Sequence, residues 1–157
     1  MAIIYRFRVQ LEDDEFNVYR DIDVKSSQNL YDLHLGILEA YEFDQLYEAE
    51  LYLTDDGWVK QERFSLIDDS VELFKDTALK DIVYDPRQKF IYYYDPEKCW
   101  TFYIKMHQIL TCRDALKRYA HCANVYGIAP SQYTPAELEQ KKQLLDKQYL
   151  NIRSSLR

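Results

Sequence analysis

Four polar side chains stand among apolar neighbours in this chain: Arg20, His34, Asp95 and Trp100. Arg20 has the parity of Val18, Ile22 and Val24 in an alternating stretch, so it shares their face. His34 lies on or beside a stripe made by Leu30, Leu33, Ile37, Leu38 and Tyr41, while Asp95 and Trp100 bracket a polar turn. Drawn together in an aromatic core, the four would form a polar cluster. Such a cluster is either an active site, with chemistry resting on the His34 imidazole and the Asp95 carboxylate, or a buried ion-pair network that fixes the fold. Taken singly, Arg20 is expected to reach a carboxylate or to sit at a bulge, and His34 to be a satisfied core residue.

Other chemistries are harder to assemble. A catalytic zinc site needs about three converging ligands and an open position, and helical pairs fall at HxxxH or HExxH spacing. Neither spacing occurs. His121 and Cys122, with Cys112 upstream, would supply three ligands for a metal-dependent enzyme, but nothing local makes them converge. A G-x-S-x-G nucleophile elbow and a glycine-rich phosphate loop both fail in a chain with 3 glycines. The expectation is no metal site, no cofactor and no complete catalytic constellation, which leaves enzymatic activity open but disfavoured.

The formal charge of −7 is unevenly divided. Residues 1–106 hold 12 Lys and Arg against 23 Asp and Glu, which is −11, whereas residues 107–157 hold 8 against 4, which is +4. A basic tail on an acidic body suits nucleic-acid contact through Arg113, Lys117, Arg118, Lys141, Lys142 and Lys147. It suits equally a tail that docks on its own body or on a second copy. Mixed sign and the lack of any basic run beyond two residues favour docking.

The elements that must position these groups are legible from periodicity. Residues 89–106, KFIYYYDPEKCWTFYIKM, read as two strands about the turn Asp95-Pro96-Glu97-Lys98, the first apolar on both faces and therefore either central to a covered sheet, the favoured reading, or bearing an exposed aromatic patch that binds something. Residues 3–11 alternate as a strand and hairpin back, through the acidic run 12–15, into a strand marked by Phe16, Val18, Ile22 and Val24. Leu30 to Tyr41 follow helical spacing, with Asn29 as N-cap. Segments 48–53 and 58–66 flank Asp56-Gly57, a hairpin signal in which glycine supplies a positive φ. One or two helical turns fit residues 76–82, and a helix is expected around 113–122. Thr134-Pro135-Ala136-Glu137 opens a final helix with a capping box, carrying a stripe of Leu138, Leu145, Tyr149, Ile152 and Leu156 that needs a partner surface.

At 157 residues the chain can bury a core without staples, and 3 cysteines without CxxC spacing fit reduced thiols. No stretch has the length of apolar residues that a membrane span needs, and the expected location is the cytoplasm. Residues 1–106 are expected to form the folded domain, 107–133 an irregular connection and 134–157 an amphipathic helix.

Three motifs in order, Val18-Tyr19-Arg20, Asn29-Leu30-Tyr31-Asp32-Leu33-His34-Leu35-Gly36-Ile37, and Phe90-Ile91-Tyr92-Tyr93-Tyr94-Asp95 with Trp100-Thr101-Phe102, resemble the plasmid pRiA ORF-three-like family. Its members run V-W-R, T-L-x-x-L-H-x-x-I and F-x-Y-x-Y-D-F-G-D-x-W. The resemblance covers about residues 3 to 106, with a weaker echo at Cys122 and Gly127-Ile128-Ala129-Pro130. Pro96-Glu97-Lys98 replaces the family's Phe-Gly-Asp, the histidine after the first helix is missing around residues 43–47, and so is the Gly-Gly element after the proline. The resemblance implies an α+β fold with a helix packed on a largely antiparallel sheet, no known activity, and a mobile-element context from resolvase-like or repressor-like relatives. The combined expectation is an α+β protein of hairpins, one main helix and a C-terminal helix, acting as a non-catalytic binding or adaptor domain with a protein partner or a second copy. The alternatives are a nucleic-acid-associated accessory factor and a metal-dependent enzyme.

Overall fold

The computed structural model describes residues 2–13, 17–113 and 117–155. Its strands are β1 (Ala2–Leu11), β2 (Tyr19–Lys25), β3 (Ala49–Thr54), β4 (Lys60–Ser65), β5 (Glu72–Leu73), β6 (Lys89–Tyr94), β7 (Trp100–Cys112) and β8 (His121–Tyr126), and its helices are α1 (Leu30–Ala40) and α2 (Pro135–Ser155). The strands make one sheet in the order β5-β4-β3-β6-β7-β1-β2-β8. Every pairing is antiparallel except the short β4–β5 contact. The fold is therefore the expected α+β class, with β6 and β7 in the middle of the sheet.

α1 forms where the sequence places it. The Asn29 side chain accepts from the Asp32 backbone N–H while the Asp32 carboxylate accepts from Asn29 N–H, so two orphan donors of the first turn are satisfied reciprocally. Its Leu30, Leu33, Ile37 and Leu38 are buried against Phe7, Val9, Ile22, Phe90, Tyr92 and Phe102 of the sheet. Contact is closest at Gly36, where an added Cβ would stand 2.7 Å from Ala120 Cβ and 3.2 Å from Ile22 Cγ2. Two 3₁₀ turns, Phe74–Asp76 and Leu79–Asp81, occupy the connection read as helical turns and bury Phe74 and Leu79 under the helix side.

Among the described residues no second layer covers the opposite face. Ile91 is buried there by its neighbours in register, Tyr52 of β3 and Tyr103 of β7, and Tyr93 is half-buried. The sequence reading of a strand covered on both sides is right for Ile91 only because flanking phenols lie over it. Next to them, Arg6 meets Asp23 at 2.7 and 2.9 Å and Arg8 meets Asp21 at 2.9 and 3.1 Å, both side-on through Nε and Nη2. Asn124 of β8 adds a bond to Asp21. Asp21 and Asp23 are thus buried as paired ions, the only economical way to hide a carboxylate.

Three local readings need correction. Residues 107–133 are not an irregular connection: β7 runs to Cys112 and β8 (His121–Tyr126) extends the sheet beside β2, and none of the described residues of 113–122 is helical. At the second hairpin Trp58, not Gly57, takes the positive φ of 65°. The Asp55 carboxylate accepts from Gly57 and Val59 N–H, and the Trp58 ring stacks edge-on against Tyr103, which holds that conformation. Phe16 lies outside the described residues, and β2 begins at Tyr19.

Gly36→Val should lower stability by about 1–3 kcal/mol, because added methyls at the helix–sheet contact overpack a site with no room. A urea melt checks this, with an unchanged midpoint as the contrary result.

Candidate functional site

The four predicted cluster residues do not converge. Among the described residues, no hydrogen bond or ion pair joins any two of them. His34 Nδ1 and the Tyr92 hydroxyl share a hydrogen bond of 2.6 Å within a cage of Tyr31, Phe74 and Tyr94. Burial disfavours the imidazolium and lowers the His34 pKa to about 4. The same burial raises the Tyr92 pKa well above its usual value. Both groups are neutral at pH 7, and their single shared bond fixes α1 to β6.

Asp95 is buried at the β6–β7 turn, at φ 65°, where its carboxylate accepts from Glu97 and Lys98 N–H. It is a turn residue. Trp100 packs on Phe43 at 4.9 Å, and its buried Nε1 makes no hydrogen bond to a described residue. Arg20 lies on the helix side of β2, buried, with its guanidinium 5.1 Å from the Tyr41 ring. Among the described residues no carboxylate is its partner. Nη1 instead donates to the carbonyls of Tyr19, Tyr126 and Gly127. A bulge does occur next door, where β2 shifts register against β8 between Asp21 and Ile22.

Of the basic residues, Arg113, Lys117, Arg118, Lys142 and Lys147 are exposed. Lys141 is committed, 3.6 Å from the Asp44 carboxylate and 3.7 Å from the Tyr133 ring. The proposed metal trio is separated by topology. Cys112 pairs with Ala2 on β1 and Cys122 with Ile22 on β2, so β1 and β2 both lie between them, three strand spacings or about 14 Å. Among the described residues no three His, Cys, Asp or Glu side chains gather as a metal would require.

What the structure does bring together is a polar hub that the sequence reading missed. Asp44, four residues after α1, accepts from Gln132 Nε2 and from the Tyr133 hydroxyl, and its backbone N–H donates to Gln132 Oε1. The Tyr94 hydroxyl donates to the Asp44 carbonyl. These bonds from Tyr133, then Gln132, outweigh the desolvation that would raise the Asp44 pKa, and the net shift is downward. Beside the hub, Lys98 bridges Glu137 at 2.8 Å and the Gln132 carbonyl, while Thr134 and Glu137 close the predicted capping box. The root of α2 is therefore anchored to the body. Beyond it every residue from Lys142 to Ser154 is exposed, including Leu145, Tyr149 and Ile152 at 60–65%. Leu156 lies outside the described residues.

At least four recesses, of about 810, 700, 510 and 430 Å³, have the volume of a small-molecule site. The largest of these lies on the open face near Lys60, Arg63 and Tyr93. Its two cations are engaged: Arg63 bonds Glu50 and Asp68, and Lys60 lies over the rings of Tyr52 and Tyr93. The next, of about 700 Å³, lies between Arg20, Tyr41 and the connection from β8 to α2.

These features define an α+β domain of one helix on one mainly antiparallel sheet, with a second helix rooted at one end. The chain belongs to the family described as plasmid pRiA4b ORF-3-like protein, whose profile matches residues 3–134. The match extends past residue 106 to take in β8, Gln132 and Tyr133, and α2 comes after it. No curated protein matches the sequence significantly. A crystal structure of a protein of unknown function from Methanosarcina mazei Go1 is similar in fold, with a TM-score of 0.73 and 15% identity over 93% of this chain and 83% of that one. Neither description names an activity.

Because the folded chain keeps His34 neutral down to about pH 4 while an unfolded histidine takes up a proton near 6.5, the unfolded state binds more protons between these values. Stability should fall as pH drops through that window, by at most about 3 kcal/mol. His34→Gln should remove this part of the pH slope in denaturant melts at pH 6.5 and 4. Asp44→Ala should loosen the α2 root and speed limited proteolysis in residues 127–134, with the core strands still resistant.

Proposed function

We propose that this chain is a non-catalytic binding module that pairs with a second copy of itself through α2. The observation that supports it is the projecting helix, on which Leu138, Leu145 and Ile152 recur every seven residues and remain exposed although the helix root is firmly held. A seven-residue apolar spacing is the pattern of a helix that packs lengthwise on another helix. Charge selects the orientation. α2 is acidic in its first turn, at Glu137, and basic in its last, at Arg153, so an antiparallel pair sets unlike charges against each other at both ends. Leu145 then faces its own copy, and Leu138 faces Ile152.

A second reading, a nucleic-acid-associated accessory factor, draws support from the exposed Arg113, Lys117, Arg118, Lys142 and Lys147. It requires polynucleotide binding that weakens steeply with salt, because phosphate contacts release counterions.

Light scattering on the wild-type chain should give a dimer. Leu145→Asp with Ile152→Asp should give a monomer with an unchanged urea midpoint, since both side chains are exposed in the single chain. A wild-type monomer that binds polynucleotide only at low salt would replace this reading with the second.

A further inference from the structure

We infer that the recess beside Arg20 is a binding site for a small apolar carboxylate, with the Arg20 guanidinium as its anchor. Four arginines lie on strands of the sheet, Arg6, Arg8, Arg20 and Arg63; Arg63 is shared between Glu50 and Asp68, and Arg6 and Arg8 use one common geometry. Arg6 and Arg8 each present the side-on Nε/Nη2 edge to both oxygens of an aspartate. This fork matches the spacing of a carboxylate and makes the stronger, charge-assisted kind of bond.

Arg20 is more deeply buried than either, at 6% exposure, yet its Nε and Nη2 make no bond to a described residue. All three of its bonds leave from Nη1 and end on neutral carbonyls. Among the described residues no carboxylate stands within ion-pair distance of it. A guanidinium stays charged at any working pH, so burying one without a counter-ion is costly. The carbonyls and the Tyr41 ring orient the group without supplying a counter-charge. The edge without a described protein partner is the one that Arg6 and Arg8 give to carboxylates.

The recess in whose wall Arg20 lies has room for such a partner. Its volume of about 700 Å³ falls in the range of small-molecule sites. Val125, Ile128, Ala129, Pro130 and Leu138 line it, so the ligand's body is apolar. Ile128 is 94% exposed at the rim, an unusual place for an isoleucine with nothing to cover it. Glu42 and Asp44 also stand in the wall. Asp44 is already bonded to Tyr133 and Gln132, but both carboxylates repel anions, which disfavours the double charge of phosphate and favours a single carboxylate. The recess shares only Leu138, at the helix root, with the proposed pairing surface, and substitutions at Arg20 and Ile128 leave Leu138, Leu145 and Ile152 in place.

Calorimetric titration of the full-length chain with benzoate and hexanoate, against benzamide and inorganic phosphate, tests the assignment. At least one of the two carboxylates should bind saturably, with benzamide and phosphate weaker by on the order of tenfold or more. Arg20→Lys, which keeps the charge and removes the fork, should lose that binding. Ile128→Glu should weaken it too, and its exposed position separates loss of binding from loss of fold. Failure of both carboxylates to bind at millimolar concentration overturns the inference, as does equal binding of benzamide, stronger binding of phosphate, or unchanged binding in both variants. Binding that appears only after Glu15→Gln also overturns it, by assigning the fork to the chain's own acidic turn. A dimer by light scattering has no bearing on these outcomes, so this site and the pairing of α2 fail separately.

Discussion

A single helix of 11 residues has to cover one face of an eight-stranded sheet. The helix is about 16 Å long. Eight strands span about 34 Å from first to last axis. Much of the remaining structure answers that shortfall. Beside α1 the face is completed by rings: Phe74 from a 3₁₀ turn, Tyr41 and Phe43 from the helix exit, Tyr94 and Trp100 from the central hairpin. The fit is tight enough under α1 to require Gly36. On the other face the described residues form no layer at all, and side chains lying flat do the work of one. Phenols cover Ile91, and arginines lie over Asp21 and Asp23, with their aliphatic stems on the sheet and their heads neutralised.

The same shortfall explains where the polar groups went. The His34–Tyr92 bond gives the thickest part of the aromatic layer a fixed register, since two buried polar atoms that satisfy each other are costly to separate. Arg20 stands at the opposite margin, where the layer ends and the connection from β8 begins to fold over. Asp44 is at that margin too and sets the direction in which α2 leaves. A helix anchored only by its first turn is free to present the rest of its length.

Period-two and three-and-four patterns made β1, β3, β6, β7 and α1 legible, because each buries one face and the burial writes itself into the residue order. The N-cap at Asn29 and the capping box at Thr134 were legible for the same local reason. β8 was not. Its residues His121-Cys122-Ala123-Asn124-Val125-Tyr126 lie on a sheet edge and are mostly exposed, so little selection for alternation is written there. Arg20 read as half of an ion pair because the sequence displays carboxylates and hides carbonyls, which every residue carries. The Asp44–Tyr133 contact joins groups 89 residues apart and obeys no local period. Trp58 took the left-handed conformation in place of Gly57, since the ring's contact with Tyr103 is long-range and outweighs the local preference.

The position of β1 in the sheet carries a further consequence. Made before the other strands of the sheet, it ends between β7 and β2, and its register with β7 joins Ala2 to Cys112. Until β7 and β8 have been made, both edges of the β1–β2 hairpin lack the neighbours they will have in the sheet. The sheet cannot be nucleated from one end and extended like a zipper. It must close around the first-made of its strands, and such high contact order belongs to chains that fold slowly.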